Sequence, residues 1–274
     1  MISGFLVSQF LSPHTNRRTD AYGGTPQKRL FFLQRLVHEI RKHCPPPFCL
    51  SVKLNSGDYM AQGGLSTDEG LSQVHWLVNS GQVDFVEISG GNAEQIKSPL
   101  YTTFGKKSLS QAPKMRESTR IREAAFAEFG ERIQEMGSPI PIQLSGGFRS
   151  RNGMADAIDS GICDLIGLGR AAVLEPDLPR KILLNPETPD DEALAMSHQV
   201  RGMWFAGWFP AKVIGRGLPI QFFYYNMRRL GRGLVSDPDA SIPFVFFVNV
   251  WSGLQGGLLK AWKGLLHNVK LLAG

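Results

Sequence analysis

The stretch that decides the fold runs from Pro141 to Pro179 and reads PIQLSGGFRSRNGMADAIDSGICDLIGLGRAAVLEPDLP. It contains two short apolar runs, and each run stops at a glycine turn, Gly146-Gly147 in the first case and Gly169-Arg170 in the second. The residues between the two turns favour a helix. Gly147 and Gly169 are 22 residues apart, which is about the length of one strand-helix unit. The pattern predicts strand, turn, helix, strand, turn, helix.

Two glycine turns at neighbouring strand ends offer a place for a phosphate group. Backbone N–H groups and helix N-termini bind anions, and Arg149 and Arg170 add positive charge beside them. In a (β/α)8 barrel, the last two such turns are where phosphate most often binds. The alternative for either glycine pair on its own is a turn that merely ends a strand.

The composition is that of an ordinary globular protein. Of 274 residues, 42% are hydrophobic and 20% are charged, with a net charge of +6. No block of Lys and Arg is interleaved with aromatic residues, so nucleic-acid binding is not predicted. Three cysteines without metal-ligand spacing predict no metal site and favour a reduced compartment, which we take as the cytoplasm.

Helical and strand patterns alternate along the chain before this stretch. Thr25 and Ser66 stand at N-cap positions ahead of periodic apolar residues, and after Ser66 the spacing places Leu71, Val74, His75 and Val78 on the buried side of a helix. Segments 48–54 and 83–89 alternate apolar and polar residues, as half-buried strands do, and residues 120–136 favour a helix. This alternation predicts an α/β fold with a parallel sheet and helical crossovers.

Each predicted strand has one face of Leu, Val or Ile and one polar face. Near the C-terminal ends, the polar face carries Lys53, Glu87 and Gln143. In a closed barrel this face would be the interior, and active sites lie at its C-terminal edge. The alternative is that Lys53 and Glu87 form one buried structural ion pair.

Four segments resemble the FMN-dependent old yellow enzymes, a family of NADH:flavin oxidoreductases with the (β/α)8 TIM-barrel fold. GFLVSQFLSPHTNRRTDAYGG at 4–24 is similar to the loop after that family's fourth strand. LSGGFRS at 144–150 and LIGLGRAAVLEPDLP at 165–179 are similar to its seventh and eighth strands with their turns. SVKLNSGDY at 51–59 and VEISGGNAE at 86–94 resemble its fifth and sixth strands.

The resemblance implies an FMN site with NAD(P)H as the reductant. The family holds the FMN phosphate with backbone groups of the turns after strands seven and eight, which correspond here to Gly146, Gly147, Phe148, Gly169 and Arg170. It also places a cation beside the flavin N1–C2 carbonyl, where reduced flavin carries negative charge. Lys53 stands at that position, where the family usually has arginine, so the charge is kept but the fork geometry is lost.

The chain departs from the family at the positions that serve the substrate. The second member of the family's substrate-binding His pair falls on Ser3, and the first has no counterpart. The proton-donating tyrosine falls on Phe5, whose ring cannot donate a proton, so no catalytic residue is assigned. The first strands of the barrel also lack a counterpart. The sequence therefore predicts an incomplete barrel, strands five to eight, in residues 1–183.

Three explanations of the incomplete barrel stay open. The sequence is truncated, or two copies associate to complete the barrel, or the protein is a non-catalytic relative. An open half-barrel exposes a sheet edge, which favours association into a homo-oligomer.

Residues 184–274 are predicted to form a C-terminal helical extension, comparable with that of fungal members of the family. Residues 192–205 favour a helix, and residues 242–259 contain no charge. Residues 258–270 place Leu and Trp at helical spacing beside lysines. The stretch 242–274 either lies on a membrane surface or packs as a terminal hairpin, and its interrupted apolar run favours the hairpin.

These observations together predict an FMN-dependent oxidoreductase. It would pass hydride from NAD(P)H through FMN to an activated alkene or a similar small-molecule substrate. The alternative is a non-catalytic half-barrel that binds FMN weakly, or that serves as an interaction or membrane-associated protein.

Overall fold

A computed structural model describes residues 6–57, 64–89, 129–146, 148–195, 212–249 and 251. Its elements in chain order are α1 (Leu6–Leu11), α2 (Pro26–His43), β1 (Ser51–Asn55), α3 (Thr67–Asn79), β2 (Phe85–Ser89), α4 (129–136), β3 (Ile142–Ser145), α5 (Arg151–Asp159), β4 (Leu165–Gly167), α6 (Arg170–Leu174), a π-helical turn (Pro179–Leu183), α7 (Lys212–Leu230) and α8 (242–249).

The chain divides into two compact units. The first comprises Met1–Gly169 and Pro179–Ala195, and the second comprises Arg170–Leu178 and Met196–Gly274. The first unit thus includes residues beyond 183, and the domain boundary between residues 183 and 184 stays a prediction.

The described strands form one parallel sheet in the order β1-β2-β3-β4. Each strand pairs with the next strand of the chain, so that Val52 lies opposite Val86 and Ile88 lies opposite Leu144. Parallel neighbours need a crossover connection, and helices lie in the sequence between the paired strands. The predicted α/β fold with a parallel sheet is confirmed, whereas the incomplete barrel stays a prediction.

The first long helices begin at side-chain caps. Thr25 Oγ1 accepts the N–H of Lys28 at 3.4 Å, and Pro26 is the first residue of α2. Ser66 Oγ accepts the N–H of Glu69 at 3.2 Å ahead of α3. Each cap satisfies an N–H group that the first helical turn leaves without a partner, so the caps fix where the helices start.

One hydrophobic core lies between the apolar face of the sheet and the helices of the first unit. In β1, β2 and β3 every second residue is buried in this core, because side chains alternate between the two faces of a strand. The strands contribute Val52, Leu54, Val86, Ile88, Ile142 and Leu144, and the helices contribute Leu33, Val37, Val74, Leu77, Val78, Phe129 and Ile133.

Two predictions from the sequence are wrong. His75, which the periodicity places on the buried side of α3, is exposed, and Leu77 is buried in the core instead. His75 lies at the margin of the apolar stripe and lines a surface groove with Arg132 of α4.

The helix predicted over 192–205 does not begin at residue 192. The N–H of Glu192 donates to the Pro189 carbonyl at 3.0 Å in a turn, and Leu194 pairs with Ser150 in an antiparallel bridge. Pairing with a distant segment thus overrides the local helical preference. Residues 196–205 lie outside the described residues.

Two aspartates tie neighbouring strands together at the N-terminal edge of the sheet. Asp84, just before β2, accepts the N–H of Leu50 at 2.6 Å, and its own N–H donates to the Leu50 carbonyl at 2.8 Å. Asp164, just before β4, repeats this arrangement with Ile142 at 2.8 and 2.9 Å. These hydrogen bonds link β1 to β2 and β3 to β4 at this edge of the sheet.

The carboxyl of Asp84 is also bound by the guanidinium of Arg41 at 2.7 Å. The N–H of Leu50, and secondly Arg41, hold the pKa of Asp84 below its usual value of 3.8.

The second unit has a small core of its own. Phe222 and Asn226 of α7 and Val245 of α8 are fully buried. The Asn226 side chain donates to the Phe222 carbonyl at 3.1 Å and accepts the N–H of Asp237 at 2.6 Å. The buried amide is therefore satisfied, as a polar group inside a core must be.

The described part of the tail packs on α7. The rings of Tyr225 and Phe244 meet edge to face, with their centroids 5.9 Å apart. Within the described ranges, no helix is both long enough and apolar enough to cross a membrane. Residues 252–274, which contain the predicted amphipathic helix, lie outside those ranges.

Candidate functional site

The polar face of the sheet presents a row of charged and amide side chains. Lys53 of β1 is level with Glu87 of β2, which in turn is level with Gln143 of β3. The Lys53 ammonium forms a direct ion pair with the Glu87 carboxylate. The row that strand alternation predicts is confirmed. The ion pair of the alternative interpretation is also present, but its two side chains are partly exposed rather than buried.

Lys53 can bind a second group in addition to Glu87. The side chains of Lys53 and Glu87 are 28% and 22% exposed, so a ligand on this face of the sheet can reach them. An ammonium group has three N–H donors, so a lysine that is held by one carboxylate can also donate to a second acceptor. Glu87 therefore acts as a fixed partner that orients the Lys53 side chain along the sheet.

One row nearer the C-terminal edge, the side chains are small. Asn55, Ser89, Ser145 and Gly167 are level with one another across the four strands. Gln143 Nε2 donates to Ser145 Oγ at 3.3 Å. A methyl group on Gly167 would lie only 1.8 Å from Ser145 Oγ and 2.9 Å from Ser145 Cβ. The close approach of β3 and β4 thus requires glycine at 167, and the sequence analysis missed this residue.

The two predicted glycine turns lie at this same edge of the sheet. β3 and β4 are parallel neighbours, so the turns that follow them leave the sheet side by side. Gly146 has φ +122°, a backbone conformation that favours glycine, and it is exposed. Gly169 is also exposed, and a methyl group there would meet no atom within 4 Å. Open space therefore adjoins the second turn.

The other residues of the predicted phosphate cradle are placed differently. Phe148 is half-buried and packs against the hydrophobic core. Arg170 is exposed, begins α6 and belongs to the second unit. Gly147, Ser3 and Phe5 lie outside the described residues.

Arg151 links the start of α5 to a distant segment through its hydrogen bonds, and the sequence analysis did not identify this role. Its guanidinium donates to four backbone carbonyls within residues 182–188 and to the Asp190 carboxylate, all at 2.7 to 2.9 Å. Its backbone N–H donates to the Ala193 carbonyl at 3.0 Å. Arg151 thereby fixes residues 182–193 to the start of α5, which follows the β3 turn. The side-chain partners are 31 to 39 residues away, so no local pattern indicates them.

The loop that follows α1, which resembles the loop after the family's fourth strand, is held by hydrogen bonds among its own polar groups. Asn16 Nδ2 donates to the Tyr22 carbonyl at 2.7 Å, and the Asp20 carboxylate accepts the N–H of Tyr22 at 3.0 Å. A Cβ atom at Gly23 would lie 2.3 Å from the Arg18 carbonyl oxygen, so the chain passes itself closely there. These residues act in shaping the loop.

The site offers a ligand two kinds of polar group. Exposed glycine backbone beside open space is what a phosphate group needs, because phosphate oxygens accept from backbone N–H groups. One row deeper, Lys53 supplies a cation and Gln143 supplies an amide, which together can bind carbonyl oxygens and ring nitrogens.

Known proteins resemble this chain in sequence and in fold. The model of the NADH:flavin oxidoreductase / NADH oxidase family matches residues 1–188. The NADH-dependent flavin oxidoreductase iliE of Hypocrea jecorina is 35% identical over 201 residues, which are 73% of this chain and 47% of that protein. The NADH-dependent flavin oxidoreductase iccE of Talaromyces variabilis is 38% identical over 189 residues, which are 67% of this chain and 42% of that protein.

Among solved structures, a complex of 2-naphthoyl-CoA reductase with 2-naphthoyl-CoA matches with a TM-score of 0.57 and 23% identity, over 74% of this chain and 28% of that one. At this identity the likeness shows a shared fold. The chain spans about half of the length of the two fungal relatives. From the family match and the fungal relatives together, we conclude that this chain belongs to the NADH:flavin oxidoreductase / NADH oxidase family, as its resemblance to the old yellow enzymes predicts.

Proposed function

We propose that this protein is an FMN-dependent oxidoreductase of the old yellow enzyme type. FMN, when bound, would supply the hydride transfer that links NAD(P)H to an activated alkene or a similar electron-poor substrate. One arrangement supports this proposal most strongly. In a chain of this family, the sheet places Lys53 and Gln143 on one face and two exposed glycine turns at the adjacent edge.

The phosphate end of the cofactor would lie at the glycine turns. The backbone of Gly146 and of Gly169 is exposed to solvent, and no atom lies within 4 Å of the position that a methyl group on Gly169 would occupy. Gly147 and Arg170 complete the set that the family resemblance implies. Glycine matters here because a side chain would occupy the volume that the phosphate oxygens need.

The ring end of the cofactor would lie over the row that contains Lys53. The Lys53 ammonium would stabilise negative charge on the flavin and so favour its reduced form. Glu87 would hold that ammonium in place through the observed ion pair. Gln143, level with Glu87, would present its amide to the polar edge of the ring.

A second candidate function rests on Phe5, which stands where the family has its proton-donating tyrosine. A chain that binds FMN and accepts hydride but lacks this proton donor would reduce alkenes poorly. This candidate is a flavin-binding relative without ene-reductase activity. It predicts bound FMN and NAD(P)H oxidation without alkene reduction.

The test is to purify the full chain, titrate it with FMN, and measure NAD(P)H oxidation with and without an activated alkene. We expect bound, yellow FMN, and we expect Lys53→Met to weaken FMN binding about 10- to 100-fold, as loss of a charged hydrogen bond does. Lys53→Arg retains the charge and should stay within a few-fold of wild type.

Lys42→Met is the matched control, because it removes an exposed lysine from the last turn of α2, where its neighbour Arg41 contacts the N-terminal edge of the sheet rather than the edge with the glycine turns. It should leave FMN affinity unchanged. A protein that FMN titration cannot colour contradicts both candidate functions. Equal losses for Lys53→Met and Lys42→Met would contradict the role given to Lys53.

A further inference from the structure

The polar face of the described sheet carries a positive and a negative charge side by side. Lys53 of β1 and Glu87 of β2 are level with each other and form a direct ion pair. Every other residue that the four described strands place on this face is uncharged. The charge of the lysine is therefore offset by the carboxylate, and the strand residues of this face have no net charge.

The amide of Gln143, on the next strand, is turned away from Glu87. Its Nε2 atom donates to Ser145 Oγ at 3.3 Å and would lie 2.7 Å from a methyl group on Gly167 of β4. Because β3 lies between β2 and β4, this nitrogen is on the side of β3 that is remote from Glu87. The carboxylate of Glu87 is thus paired with Lys53, on its other side.

A ligand on this face interacts with both charges of the pair. Neighbouring strands lie about 4.8 Å apart, so a group that the Lys53 ammonium contacts is also close to the Glu87 carboxylate. Coulomb interactions over such distances are strong where water is partly excluded, as it is around these two half-buried side chains. A ligand that gains negative charge here is therefore stabilised less than it would be by an unpaired lysine.

We propose that Glu87 lowers the reduction potential of bound FMN by offsetting the charge of Lys53, an inference that rests on the proposed flavin site. Charge near the N1 atom of a flavin tunes its potential, because the reduced ring carries negative charge there. Glu87 makes the reduced form less stable and therefore a stronger hydride donor to the substrate. Since Glu87 acts through its partner Lys53, it is a positioning residue rather than a catalytic one.

The experiment measures the midpoint potential of FMN bound to the full chain, by spectroscopic titration against a reference dye. Glu87→Gln removes the charge but keeps an oxygen that accepts from the Lys53 ammonium, so the lysine stays held. We expect this variant to raise the potential by about 30 mV, which is a tenfold shift towards the reduced form for a two-electron couple. Glu87→Asp keeps the charge and should change the same ratio less than about twofold.

Lys53→Met leaves Glu87 without its cation, and it should shift the potential of bound FMN in the opposite direction, to a lower value. This second variant tests the same charge balance from the other side of the ion pair, so the proposal does not depend on the folding of Glu87→Gln alone.

Glu39→Gln is the matched control, because it makes the same change of charge on α2, whose residues Leu33 and Val37 join the core on the apolar face of the sheet. It should leave the potential unchanged, and circular dichroism should show that each variant is folded. The proposal is overturned if FMN binds but Glu87→Gln leaves its potential unchanged or lowers it, or if Lys53→Met does not lower it. Equal shifts for Glu87→Gln and Glu39→Gln also overturn it. A wild type that binds no FMN overturns the proposed function as well, so the two failures are distinguishable.

Discussion

Replacing Gly167 by alanine tests whether the close approach of β3 and β4 shapes the candidate site. The added methyl group would lie 1.8 Å from Ser145 Oγ, 2.7 Å from the Gln143 amide nitrogen and 2.9 Å from Ser145 Cβ. The hydroxyl and the amide can rotate away, but their 3.3 Å hydrogen bond is then lost. Ser145 Cβ is fixed to the backbone, so the two strands must also move apart.

We expect Gly167→Ala to lower the free energy of unfolding by about 1–3 kcal/mol, the usual cost of overpacking. About 0.5–1.5 kcal/mol of this loss would come from the broken hydrogen bond. Urea denaturation followed by circular dichroism measures the change. The same variant should bind FMN more weakly, because the displaced Gln143 lies level with Glu87 in the row proposed to meet the flavin.

Gly169→Ala is the matched control for stability, since its methyl group meets no atom within 4 Å. It should unfold within about 0.5 kcal/mol of wild type, as surface substitutions do. A double-mutant cycle with Ser145→Gly removes both Ser145 atoms that the new methyl group meets. In that background, alanine at 167 should cost much less. The steric reasoning is refuted if Gly167→Ala is as stable as wild type, or if Ser145→Gly relieves none of its cost.

Three further predictions concern the scaffold. Arg151→Met should lower the free energy of unfolding by about 1–3 kcal/mol and make residues 182–193 more sensitive to limited proteolysis, because their carbonyl partners are lost. Asp84 has a lowered pKa in the folded protein, so its carboxylate stabilises the fold above pH 3.8, and this stabilisation is lost as the pH falls through the folded pKa. Asp84→Asn should therefore have a lower melting temperature than wild type at pH 7, and the two melting temperatures should become equal in acid. Burial raises the pKa of the Cys163 thiol, so iodoacetamide should label exposed Cys49 in the native protein and Cys163 only after unfolding.

The sequence predicted the sheet and its polar face because the relevant patterns are local. Alternation with a period of two assigns Lys53, Glu87 and Gln143 to one face in each strand, and parallel pairing then brings them level. The caps at Thr25 and Ser66 were predictable for the same reason, because a cap and its helix are neighbours in the chain.

What the sequence could not predict depends on contacts between distant segments. Glycine is required at 167 because the side chain of Ser145 on the neighbouring strand lies so close to it, and no residue near 167 in the sequence indicates this contact. Arg151 is bound by carbonyls more than 30 residues away. Leu194 pairs with Ser150, which explains why the local helical preference at 192 fails.

The central claim is that the glycine turns at the C-terminal edge of the sheet hold the phosphate of FMN. The most direct test is the dissociation constant for FMN of the wild type and of Gly169→Ala, measured by flavin fluorescence on the full chain. We predict that the wild type binds FMN and that Gly169→Ala, equally stable, binds it at least about 10-fold more weakly, because its methyl group fills the space left for phosphate. Equal FMN affinity for the two proteins would contradict the claim.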